Sequence, residues 1–155
     1  MKAMITIRTI LCPLDFSDAS KNAFRYACEF AKSMGSKIHL LNIVEPRPLI
    51  ADMMLTYIPI EEELKTDAEE ALLPLVQEAR SKGIDIEAHV IAGAPVDTIL
   101  KCLADYDAGI LIMGFHGRTG LSRLIMGSVA EGVIRSAHIP VMVVKADEKE
   151  FISGD

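Results

Sequence analysis

Met113 to Val144, MGFHGRTGLSRLIMGSVAEGVIRSAHIPVMVV, decides how this chain is read. Gly114 and Gly117 are followed by nine residues and then by Gly127-Ser128. The apolar run Gly109 to Met113 leads into this loop, and a helical pattern runs from about Ser128 to Ala137. Glycines between a buried strand and a helix start let backbone amides approach a ligand closely, because no Cβ stands in the way. The helix start offers unpaired N–H groups and the positive end of a dipole, which together favour an anion such as phosphate. The stretch therefore predicts a phosphate site after the fourth strand of the chain.

The segments on either side repeat the alternation of strand and helix. Ile5 to Leu11 is a short β-branched run that ends at Cys12-Pro13-Leu14-Asp15. Ser17 or Asp18 caps a helix whose apolar positions, from Ala19 to Met34, recur at helical spacing until Gly35 stops it. Ile38 to Val44 is the second strand. Pro46 to Pro59 is a long loop with three prolines, of the kind that often carries function or motion. Glu61 to Lys82 reads as a charged amphipathic helix in which Pro74 predicts a kink or a break. Ile84 to Ile91 is the third strand, and Gly93-Ala94-Pro95 opens a helix that runs to about Asp105. Gly109 to Met113 is the fourth strand and Val141 to Val144 the fifth.

Such alternation implies βαβ crossovers, hence an α/β fold with an open, mainly parallel sheet and helices on both faces. Ligands in such sheets bind outside the carboxyl ends of the strands, where the strand order reverses. Two loops are candidates for that edge: Pro13-Leu14-Asp15 after strand one, and Gly114 to Ser128 after strand four. Asp15 is either a turn and capping residue or a ligand contact. A carboxylate there would repel phosphate.

The bulk composition narrows the class. At 155 residues, half of them hydrophobic, the chain suits one domain with an aliphatic core. Residues 1–146 are read as that domain and 147–155 as a polar, frayed tail. The net charge of −6 argues against a general nucleic-acid binder. Cys12, Cys28 and Cys102 form no C-x-x-C pair and read as reduced core thiols of a cytoplasmic protein. No signal peptide and no membrane span are expected.

With the pattern G-x2-G-x9-G-[S/T] complete at Gly114, Gly117, Gly127 and Ser128, the chain resembles the universal stress protein family, specifically its ATP-binding branch. ILCPLDFSDAS, LLNIVEP, GAPVDTIL and IPVMVV are similar to the family's opening strand, second-strand end, third-helix start and closing strand. The resemblance implies a single open five-stranded parallel sheet of Rossmann-like form that binds ATP, or else ADP or AMP, together with Mg²⁺. It implies that Asp15 and Ile43 meet the adenosine part, with Pro13 and Met113 lining the same pocket. It implies further that Gly114, Gly117, Gly127, Ser128 and Val129 hold ribose and phosphates. Asn42 departs from the pattern, since many relatives carry His there. The resemblance also implies a homodimer through Val141 to Val144, a short apolar strand whose edge would invite another chain.

Other residues divide between two readings. Arg118 is either a bidentate phosphate clamp or a solvated loop charge, and so is Arg123. Ser128 serves as helix cap in an empty site and faces phosphate in a filled one. His116 reads as a loop residue, and His39, His89 and His138 have no partner spacing for a metal site. The leading functional expectation is a regulatory, stress-response nucleotide-binding protein with an unknown protein partner. The alternative is a slow ATPase or a phosphotransferase that captures phosphate on Thr119 or Ser122.

Overall fold

The computed structural model describes residues 4–46, 60–116 and 125–152. Five strands and four helices alternate: β1 (Thr9–Pro13), α1 (Asp18–Met34), β2 (Lys37–Val44), α2 (Ile60–Ser81), β3 (Ile86–Ala92), α3 (Pro95–Asp105), β4 (Ile110–Gly114), α4 (Ser128–Ser136) and β5 (Val141–Val144). The strands form one sheet in the order β3-β2-β1-β4-β5, and every pairing is parallel. This is the open α/β sheet expected from the alternation. It places β1 and β4 side by side, with the chain running outward from β1 on both sides.

Residues two apart on a strand face the same side of a sheet, and both sides of this one are buried. Ile10, Cys12, Ile38, Leu40, Ile110 and Ile112 pack under α1 and α2, which contribute Ala23, Ala27, Leu72 and Val76. Leu11, Leu41, Leu111 and Met113 pack under α3 and α4, which contribute Ile99, Leu103, Ala130 and Val133. That explains the unbroken apolar runs in the sequence.

Local chemistry fixes the ends of α1. The Ser17 side chain accepts from the Ser20 amide, and Gly35 ends the helix in the left-handed region at φ 67°. α2 continues through Pro74 as one helix, so of the kink or break expected there the break does not occur. Its buried stripe, Ala68, Leu72, Val76 and Ala79, holds the helix on the sheet across the missing backbone donor. β1 begins four residues later than the β-branched run Ile5 to Leu11. The ladder starts at Thr9 opposite Lys37, the first residue of β2, and pairing with β4 begins at Ile10. Past β5 the chain turns back, and the buried Asn22 amide donates to the carbonyls of Lys145 and Glu148 at 2.8 and 2.9 Å. Ile152 packs against the core, so the tail is docked that far rather than frayed. No helix among the described residues is long and apolar enough to cross a membrane.

Candidate functional site

Because β1 and β4 are neighbours, the loops that leave their carboxyl ends emerge together at the reversal of strand order. Pro13 and Leu14-Asp15 leave β1 there. Gly114 ends β4, and the Phe115 carbonyl accepts from the Gly127 amide at 2.9 Å. That bond closes the glycine loop and sets the start of α4 directly beyond the strand end.

Gly127 takes the N-cap position of α4, with φ −66° and ψ 152°, and no side chain among the described residues caps this end. Ser128 is therefore the first helical residue and not the cap. Among the described residues, no side chain accepts from the first amides of α4 at the switch point, which is the arrangement that attracts anions. The apolar neighbourhood comes from one face of the sheet. Met113 is buried in the cluster under α3 and α4, and Ile43 and Val129 pack against it. Pro13, two residues beyond Leu11, lies half-buried at the same strand edge.

Asp15 has local work in this structure. Its Oδ1 accepts from the Ser17 amide at 3.0 Å, and its own amide donates to Ser20 Oγ at 3.2 Å. Between them Phe16 sits at φ 65°, a left-handed turn held by these two bonds. Asn42 completes the support: its buried side-chain amide donates to the Leu14 carbonyl at 2.8 Å. The residue singled out as a departure thus ties the β1 loop to β2.

Gly114 has a packing role as well. A Cβ there would lie 2.8 Å from the Ser20 amide nitrogen and 2.9 Å from the Ala19 carbonyl carbon. The missing side chain leaves room for the first turn of α1. His116, next in the loop, buries an Nδ1 that finds no hydrogen-bond partner among the described residues. Gly117, Arg118, Thr119, Ser122, Arg123 and all but the first residue of the loop Pro46 to Pro59 lie outside the described residues.

A second cluster was missed by the spacing of the histidines. His39 on β2 and His89 on β3 bring Nδ1 and Nε2 within 2.8 Å of each other. The Tyr106 ring stacks on both, with centroids 4.2 and 4.6 Å away. Glu87 pairs with His39 in the strand register and holds Lys37 Nζ at 3.0 Å. Burial pushes both imidazoles below the ordinary histidine range, the Lys37 charge adds to this on both, and the His89 charge adds to it on His39. Fifty residues separate the two rings in sequence, so strand pairing was the only signal that could have joined them.

Residues 6–145 match the model of the universal stress protein family. The universal stress protein MJ0531 of Methanocaldococcus jannaschii is 34% identical over 144 residues, covering 92% of this chain and 85% of its own. The solved structure of MJ0577, from the same organism, aligns with a TM-score of 0.72 at 28% identity, over 94% of this chain and all of that one. The universal stress protein of Archaeoglobus fulgidus in complex with dAMP aligns with a TM-score of 0.65 at 26% identity, over 92% of this chain and all of its own. The chain belongs to the universal stress protein family.

Proposed function

We propose that this chain is an adenine-nucleotide-binding universal stress protein, with ATP as the ligand and ADP or AMP as its lesser forms. The observation that carries the reading is the bare start of α4, set on a glycine cap at the strand-order reversal. Phosphates would lie against the amides and hydroxyl of Ser128 and the amide of Val129, with Gly114, Gly117, Gly127 and Arg118 around them. Adenosine would lie against Pro13, Ile43 and Met113, with Asp15 turned to adenine or ribose. The dAMP complex of the Archaeoglobus fulgidus relative supports an adenine nucleotide.

Mg²⁺ would arrive on the nucleotide's own phosphates, because protein-built Mg²⁺ sites rest on carboxylates. Among the described residues, the one group of three His, Cys, Asp or Glu side chains close enough to share an ion lies elsewhere, at His39, Glu87 and His89. β5 is an edge strand, and a homodimer through Val141 to Val144 would cover it. The free thiols of Cys12, Cys28 and Cys102 suit the cytoplasm.

Thermal unfolding with Mg-ATP, with GTP as control, tests the proposal. A ligand that binds only the native state stabilises it by about 2.7 kcal/mol at a hundredfold excess over Kd. For a domain of this length each kcal/mol raises Tm by roughly 2–4 °C. A shift with ATP and none with GTP is expected. Equal shifts with both would remove the adenine preference. No shift, from protein shown to carry no nucleotide after denaturation, would end the proposal.

A further inference from the structure

We infer that His39, His89 and Glu87 form a binding site for a divalent transition-metal ion of the zinc class. The donor set is the first ground. One ligand atom from each residue lies within 4.8 Å of the others, and two of the three are imidazole nitrogens. Imidazole selects zinc and its transition-metal neighbours, whereas Mg²⁺ and Ca²⁺ take oxygen ligands.

The support around the donors is the second ground. His39 and His89 stand on adjacent parallel strands whose register is fixed along seven residue pairs, so their backbones are held before any ion arrives. Tyr106, at the C-terminal end of α3, lies nearly parallel to both rings, at 5° to His39 and 20° to His89. It walls one side of the pair and fixes the ring planes. His39 is buried, His89 half-buried and Glu87 exposed, so the cluster runs from core to solvent and an ion has a way in.

The adjustment needed is local: the hydrogen bond between the two imidazoles is exchanged for bonds to the ion, and each ring turns its nitrogen from the other ring to that ion. At Zn–N distances near 2.05 Å, two tetrahedral ligands stand about 3.3 Å apart. The rings, now 2.8 Å apart at nitrogen, would part by roughly half an ångström. Glu87 would turn from Lys37 to the ion. Both partners of that pair are well exposed, with side chains 38% and 52% accessible, so releasing it costs little. Three protein ligands leave the fourth position to water.

The site is separate from the proposed nucleotide site. His39 lies four residues before Ile43 on β2, about 13 Å along the strand and toward its opposite end. An ion there would cross-link the edge strand β3 to β2.

The test is calorimetric titration of chelator-treated, nucleotide-free protein with Zn²⁺ alone, alongside the visible spectrum of the Co²⁺ form. We expect one Zn²⁺ per chain, tetrahedral Co²⁺ bands, and no heat from Mg²⁺. His89→Gln abolishes uptake. Glu87→Gln, at an exposed position where folding is not at risk, weakens it about tenfold or more. His138→Gln, on an exposed histidine outside the cluster, leaves it unchanged. The inference is overturned if the wild type takes up no Zn²⁺, or if uptake survives both His89→Gln and Glu87→Gln. The ATP-induced thermal shift persists in Glu87→Gln, so failure here is distinguishable from failure of the nucleotide reading.

Discussion

Gly114→Ala probes what the first glycine of the loop is for. An added Cβ would meet the Ser20 nitrogen at 2.8 Å, the Ala19 carbonyl carbon at 2.9 Å and the Ala19 Cβ at 3.1 Å. Two of these are backbone atoms of the first turn of α1, which no side-chain rotation can move. Restoring an ordinary 3.4 Å contact means shifting that turn, or the end of β4, by 0.6 Å. The turn is held by the Ser17 cap and by the bond from the Asp15 amide to Ser20, so the shift also strains the β1 loop. Overpacking of this kind costs about 1–3 kcal/mol. At roughly 2–4 °C per kcal/mol, the nucleotide-free protein should melt about 2–12 °C below wild type. Gly132→Ala is the internal comparison. The three atoms nearest its Cβ all belong to the Val96 side chain, with a methyl at 2.9 Å that can rotate away, so the loss should be smaller. Scanning calorimetry without nucleotide is the assay. Should Gly114→Ala melt within about 1 °C of wild type while nucleotide affinity collapses, the packing account is wrong and the glycine faces the ligand.

Asn42→Ala removes the donor to the buried Leu14 carbonyl and leaves that acceptor without its partner. The expected loss is about 1–3 kcal/mol in urea unfolding, and a change below about 0.5 kcal/mol would mean that water replaces the amide. Cys28, its thiol pushed up to about 11 chiefly by burial, should react slowly with alkylating reagents at pH 8, where only about one molecule in a thousand carries the thiolate. Its rate should climb about tenfold per pH unit while the fold persists, and a rate near that of free cysteine at pH 8 would contradict the burial.

Much of the local structure was legible in the residues themselves. Ser17 and Gly35 mark the ends of α1, Pro95 opens α3, and Val141 to Val144 is the fifth strand as read. These signals are short-range, because caps, turn glycines and helical spacing act within a turn or two of the chain. The reading failed where distant packing outweighs local preference. Of the kink or break read at Pro74, the break does not occur, because the buried stripe of α2 holds it on the sheet. The polar tail docks through Ile152, because Asn22, more than a hundred residues upstream, binds its carbonyls.

The candidate site divides the same way. The order of elements and the glycine spacing were sufficient for the α/β class and the family, since each depends on residues near one another along the chain, and they are the basis for proposing a nucleotide at the strand edge. Only the tertiary structure decided that Gly114 makes room for α1, that Gly127 and not Ser128 caps α4, and that Asn42 secures the β1 loop. It alone set His39 against His89 beneath Tyr106. These contacts depend on strand register and helix placement, which follow from packing the whole sheet, and no segment of the chain carries that information by itself.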